Sequence, residues 1–156
     1  MNSRMPRIAV LGSINMDLLV RCGTLPRPGE TILANSSAEI CGGKGANQAV
    51  AAARAGGDVT MVGRIGDDAF AGRLLDNLQQ EQIDCQHVRA TAVTPSGLAI
   101  VAVESSGQNS IMVVPGANGR VAVEDVQAAS DVIRSCDTLL VQLEVPLAAV
   151  IAAKEM

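Results

Sequence analysis

Apolar residues along this chain fall into short runs separated by segments with helical spacing, the pattern of alternating strands and helices. Ile8-Ala9-Val10-Leu11, stopped by Gly12, predicts a buried strand, and a second run follows at Leu18-Leu19-Val20. Pro26, Pro28 and Gly29 predict a turn. Glu30 to Ala34 then reads as a strand returning through Asn35-Ser36-Ser37 to Ala38-Glu39-Ile40, a hairpin. From Gly45 to Ala55 the spacing predicts a helix with Ala46, Ala49, Val50 and Ala53 on one side, ended by Gly56-Gly57. Val59 to Val62 is the next strand, and Leu74, Leu75 and Leu78 mark a helix running to Gln82, with Asp67 or Asp68 as its N-cap. Leu98 to Val103 and Ser110 to Val114 are strands around the hairpin turn Ser105-Ser106-Gly107-Gln108-Asn109. Neither alternates as a one-sided strand would, so both faces are expected to be covered, by a ligand, a partner chain or both. Val123 to Ser135 predicts a helix, Thr138 to Leu143 a further buried strand, and Pro146 opens a last helix that stops at Met156.

This order predicts an α/β fold, a mostly parallel sheet flanked by helices with a small β lid. The 156 residues suit one domain, with lid segments near 18–40 and 96–115. Hydrophobic residues make up 48%, yet Phe70 is the one aromatic, so the core must be built from Val, Ile, Leu, Met and Ala. A net charge of -4, no Lys/Arg cluster and no aromatic platform for a base give nucleic-acid binding no support. Cys22, Cys41, Cys85 and Cys136 lie far apart, with only His87 to assist them, and read as buried thiols and not as metal ligands. The first apolar run is too short for a signal segment or a membrane span, and a cytoplasmic protein without membrane partners is expected.

The candidate chemistry centres on Cys41-Gly42-Gly43-Lys44-Gly45-Ala46-Asn47-Gln48, a glycine turn feeding an alanine-rich helix. A helix start carries backbone N–H groups without internal partners, and Lys44 and Asn47 add side-chain donors beside them, which suits an oxygen-rich ligand. The stretch is not a Walker A loop, because Gly45 follows Lys44 where Ser or Thr belongs and Ala38 takes the first glycine position. It is not a dinucleotide fingerprint either, since Gln48 stands where the third glycine should. The plainer reading is a turn with close helix packing. Asn15 and Asp17, two apart, would share one face of an extended segment, or form Asx turns, and Glu144 stands at the end of the last strand. Asn, Asp, Lys, Asn and Glu around one cleft, with few apolar anchors, fit a small polyhydroxylated molecule.

Together, Gly12-Ser13-Ile14-Asn15-Met16-Asp17, Gly42 through Ala49, Gly63-Arg64-Ile65-Gly66-Asp67-Asp68, Pro115-Gly116-Ala117-Asn118 and Gln142-Leu143-Glu144 resemble the ribokinase, or PfkB, family of carbohydrate kinases. The resemblance runs from about Arg7 to the last residue; Ala71-Gly72 after Phe70 is a local departure. It implies that Asn15, Met16, Asp17, Gly43, Lys44, Gly45, Ala46, Asn47 and Glu144 contact a sugar, with Ala99 and Ile111 facing it from the lid. It implies a homodimer through the lid strands, and a complete enzyme that phosphorylates D-ribose with ATP to D-ribose 5-phosphate. Mg²⁺ with ATP, and a monovalent cation as a further option, would be that enzyme's cofactors. Family members are longer, and their second half carries the anion hole, the catalytic base and the nucleotide pocket. The present chain is therefore expected to be the sugar-binding half, truncated before the nucleotide-binding half, with no catalytic residue, metal or cofactor site of its own. The alternatives are a non-catalytic sugar-binding or dimerising module, or a kinase for another pentose, a hexose or a nucleoside.

Overall fold

The computed structural model describes residues 4–156; the first three residues of the expected 1–156 unit lie outside the described ones. In chain order the elements are β1 (Arg7–Leu11), β2 (Asn15–Cys22), β3 (Ser36–Gly42), α1 (Lys44–Arg54), β4 (Asp58–Ile65), α2 (Ala71–Gln80) and β5 (Asp84–Ala90). They continue with β6 (Gly97–Glu104), β7 (Asn109–Val114), a 3-10 turn (Gly116–Arg120), α3 (Val123–Ala128), α4 (Ser130–Ser135), β8 (Thr138–Val141) and α5 (Leu147–Lys154).

Two sheets result. The central one has the order β5-β4-β1-β8 and every pairing in it is parallel. Its strands are covered on both faces, which is why β1 reads as an uninterrupted apolar run. Ala9 and Leu11 face a core shared with Val121, Val126, Ile133 and Ala149 from the turn and the last three helices. Val10 faces the opposite core, with Ala46 and Ala49 of α1 and Leu74 and Leu78 of α2. Full burial of Leu74 and Leu78 contributes roughly 1.5–3 kcal/mol each. The second sheet has the order β3-β2-β6-β7, with β2 parallel to β6 and both outer pairings antiparallel.

Several predicted elements take another form. The segment 30–34 is not a strand: β2 continues unbroken from Asn15 to Cys22 and pairs with β3, leaving residues 23–35 as a long connection in which Leu33 is 93% exposed. Hydrogen bonding of β2 on both sides overrides the poor strand preference of Asn15 and Asp17. β5, polar and on the sheet edge, shows no alternation that would have revealed it. The helix expected over 123–135 is two helices meeting at Ala129. β8 ends at Val141 and forms the other edge of the central sheet, pairing with β1 alone among the described residues, so it is not the buried strand expected.

Two carboxylates hold these layers in register. The N-cap of α2 is Phe70 and not Asp67 or Asp68 as expected, because residues 67–70 first form a turn; Asp68 accepts from the N–H groups of Phe70 and Ala71 within that turn, and also from the N–H and hydroxyl of Ser96 just before β6. Burial alone would raise its pKa, but these four donors hold it below the usual aspartate value. Asp125 of α3 is buried, with both oxygens bound by Arg64 of β4 at 2.7 and 3.0 Å, and with Arg89 of β5 at 3.2 Å. Its pKa is lowered in the same way, the arginines and the Ala122 N–H outweighing desolvation. The Gly63 to Asp68 stretch is thus structural in this fold, holding strands to helices.

β1's end and α1's start approach closely, backbone to backbone. A Cβ on Gly45 would lie 2.6 Å from the backbone of Gly12 and Ser13, and one on Gly12 would lie 2.7 Å from the Gly45 Cα. Neither backbone can yield without moving the helix off the sheet. Gly45→Ala is therefore expected to cost about 3 kcal/mol or more despite alanine's better helix propensity. Gly72→Ala in α2, where an added Cβ meets nothing within 4 Å, should instead stabilise the chain by about 0.5–1 kcal/mol. Urea unfolding of the two variants checks both signs.

Candidate functional site

Strand alternation decides which residues of the second sheet can meet a ligand. Asn15 and Asp17 of β2, Ala99 and Val101 of β6, and Ile111 and Val113 of β7 share one face, and together with Gly43, Lys44, Asn47 and Glu144 they line a cavity of about 160 Å³. A larger cavity of about 440 Å³ adjoins it, sharing Asn15, Val113 and Glu144 and continuing past Pro115, Asn118, Leu143 and Pro146. Eight of the eleven expected contact residues are thus brought together. Met16 lies on the opposite face of β2, fully buried in the core with Cys41 and Leu98 packed nearby. Gly45 and Ala46 are buried against β1 and the core. Val101 and Val113 join the lining unexpectedly; their positions two residues from Ala99 and Ile111 carried the signal.

The start of α1 also differs from expectation. Its first N–H groups are not free: Lys44 N donates to Glu144 Oε2 at 3.3 Å, Gly45 N to Ser13 Oγ at 3.3 Å, and Ala46 N to the Ser13 carbonyl at 2.9 Å. Close packing against β1 supplies these acceptors, so the helix offers its Lys44 and Asn47 side chains to the cavity, and its backbone donors serve the fold. Gly43 turns into the helix at φ 95°, a conformation open to glycine at little cost.

Charge in the cavity is unevenly satisfied. Glu144 accepts from Ser13 Oγ at 2.7 Å and from the Lys44 ammonium, with which it forms an ion pair. Burial pushes its pKa up, but Lys44 and Ser13 prevail and hold it below the usual glutamate value. Asp17 has no such support. Its carboxylate lies against Gly42, where a Cβ would collide with it, and its Oδ1 is buried with no hydrogen-bond partner among the described residues. Desolvation first, and the neighbouring Glu144 second, raise its pKa, with Lys44 offsetting only part. Asp17 lines the cavity with an ammonium and two amides, and its carboxylate is the acceptor that this part of the lining has for ligand hydroxyls.

No group of three or more His, Cys, Asp or Glu side chains that could hold a metal ion is present among the described residues. Among the same residues, no helix is long and apolar enough to cross a membrane.

The signature of the pfkB family carbohydrate kinases matches residues 5–156. A deoxyribokinase of Salmonella typhimurium is 40% identical over 148 residues, covering 95% of this chain and 48% of that protein. A ribokinase of Bacillus subtilis is 42% identical over 142 residues, covering 91% of this chain and 48% of that protein. The solved structure of Arabidopsis thaliana ribokinase complexed with ribose and ATP superposes with a TM-score of 0.78 at 33% identity, over 97% of this chain and 51% of that one. The chain spans about half the length of the curated relatives it matches. With a family signature over nearly its whole length and the parallel sheet, second sheet and polar cavity just described, this chain belongs to the pfkB family of carbohydrate kinases.

Proposed function

We propose that this chain forms the sugar site of a ribokinase, holding D-ribose for ATP-dependent phosphorylation to D-ribose 5-phosphate by the whole protein. The observation that carries the reading is the convergence of Asn15, Asp17, Lys44, Asn47 and Glu144 on one small cavity, with Asp17 Oδ1 left without a partner. Asp17 accepts hydrogen bonds from hydroxyls, while Lys44 and the two asparagine amides donate to sugar oxygens. Glu144, held by Ser13, positions the Lys44 ammonium at the mouth. Ala99, Val101, Ile111 and Val113 give the C–H face of the ring an apolar surface, and the second sheet acts as the lid over it. ATP supplies the phosphoryl group and Mg²⁺ neutralises its charge in such a transfer; we assign no residue of this chain to either task.

Phosphorylation of 2-deoxyribose is the second reading. The deoxyribokinase relative matches this chain about as well as the ribokinase does, and the two sugars differ by one hydroxyl. Calorimetric titration of the folded chain with D-ribose, 2-deoxyribose, fructose and adenosine separates the readings. Tightest binding of D-ribose is expected; a preference for another member of the panel reassigns the substrate, and no binding by any of them overturns the proposal.

Asp17 links binding to stability. A carboxylate whose folded pKa is raised costs the fold stability above that pKa, and the cost shrinks as pH falls below it, vanishing near the ordinary aspartate value of 3.8. Asp17→Asn removes the buried charge, so its Tm at pH 7 should exceed that of the unsubstituted chain by roughly 2–4 °C, while ribose affinity falls by about tenfold or more. Differential scanning calorimetry and titration read the two effects on one sample.

A second copy of the chain is the partner proposed for the open sheet. All six residues of β7 are exposed, among them the consecutive apolar Ile111, Met112, Val113 and Val114. Sedimentation velocity should show a dimer, and a strictly monomeric species at micromolar concentration would remove this part of the reading.

A further inference from the structure

Asn118 lies in the 3-10 turn after β7 and is 1% exposed. Its Oδ1 accepts from the Ile14 N–H at 2.9 Å, and its Nδ2 donates to the Ile14 carbonyl at 3.1 Å and to Asn15 Oδ1 at 2.7 Å. These bonds have a fixed polarity. A backbone N–H can only donate and a backbone carbonyl can only accept, so Ile14 dictates which end of the Asn118 amide is oxygen and which is nitrogen. The remaining Nδ2 proton then faces Asn15, and only the oxygen of the Asn15 amide can receive it. Asn15 Nδ2 is left on the cavity side, where Asn15 lines both cavities. Gly97 makes room for the arrangement, since a Cβ there would collide with both Asn118 Nδ2 and Asn15 Oδ1.

We infer that Asn118 is a positioning residue which, through Ile14, sets Asn15 to present a hydrogen-bond donor and not an acceptor to the ligand. It rests on the sugar-site reading and adds a specificity rule. With Asp17 and Glu144 already accepting, Asn15 must meet a ligand atom that offers a lone pair, such as a ring or hydroxyl oxygen. A substrate carrying only a donor at that point, such as an ammonium group, is disfavoured by an uncompensated N–H facing N–H.

The experiment has two arms, so that failure of this inference and failure of the sugar-site reading can be told apart. In ¹⁵N-labelled unsubstituted chain, the Asn118 side-chain amide protons should exchange slowly with water and those of Asn15 quickly. Equal protection of the Asn15 protons would overturn the inference whether or not any sugar binds. In the second arm, ribose affinity is titrated for Asn15→Ala, Asn118→Asp and the double variant. Aspartate keeps the acceptor for Ile14 N–H but offers Asn15 an oxygen, so the Asn15 amide should turn round and its protons become protected. Each single variant should lose about tenfold in affinity, and the double variant no more than Asn15→Ala alone. A folded Asn118→Asp with unchanged affinity, or losses that multiply in the double variant, would overturn the positioning role. If Asn118→Asp does not fold, the exchange measurement on the unsubstituted chain still decides. If the unsubstituted chain binds no ribose, the sugar-site reading falls and the first arm alone judges the amide orientation.

Discussion

Everything in the site depends on backbone meeting backbone where Gly12 and Gly45 touch. With no Cβ on either side, α1 begins directly on the end of β1 and Ser13 becomes a hub. Its carbonyl and hydroxyl take two N–H groups of the helix start, while the same hydroxyl donates to Glu144. Lys44 and Glu144 come from positions far apart in sequence, yet this contact brings them within ion-pair reach. A bulkier residue at either glycine would lift the helix and carry Lys44 away from Glu144 and Asp17.

The site is built from pairs whose environments differ. Burial is outweighed at Glu144, whose donors hold its pKa below the usual glutamate value, whereas Asp17 beside it is desolvated and raised above the usual aspartate value. Opposite perturbations of neighbouring carboxylates are a recurrent property of functional clefts. Asp68 and Asp125 show the contrasting case, in which every buried oxygen is bonded within the protein and the group serves the fold. Asp17 differs from them in keeping one buried oxygen without a partner among the described residues, which supports the ligand-facing role proposed for it.

Much of this was readable in the chain. Ile8 to Leu11, the alanine helix and the run Leu98 to Val103 carry enough apolar pattern to fix the α/β class, and Asn15, Asp17, Lys44, Asn47 and Glu144, all candidates from the sequence, converge on one cavity. What escaped depended on partners distant in sequence. β5 is strand because β4 and its arginine pairs hold it there, and α3 and α4 part at Ala129 although the apolar pattern runs on across it. The free donors expected at the start of α1 are consumed by Ser13 and Glu144, which no local pattern could show. Met16 sits inside the motif by spelling, but alternation along β2 turns its side chain into the core.

Asn15 and Asp17 ride on the second sheet, whereas Lys44, Asn47 and Glu144 ride on the helix and loop of the central layer. The cavity is accordingly a seam between two bodies. On the proposed reading, a molecule gripped from both sides would brace that seam, and span as well as polarity would decide which ligand fits.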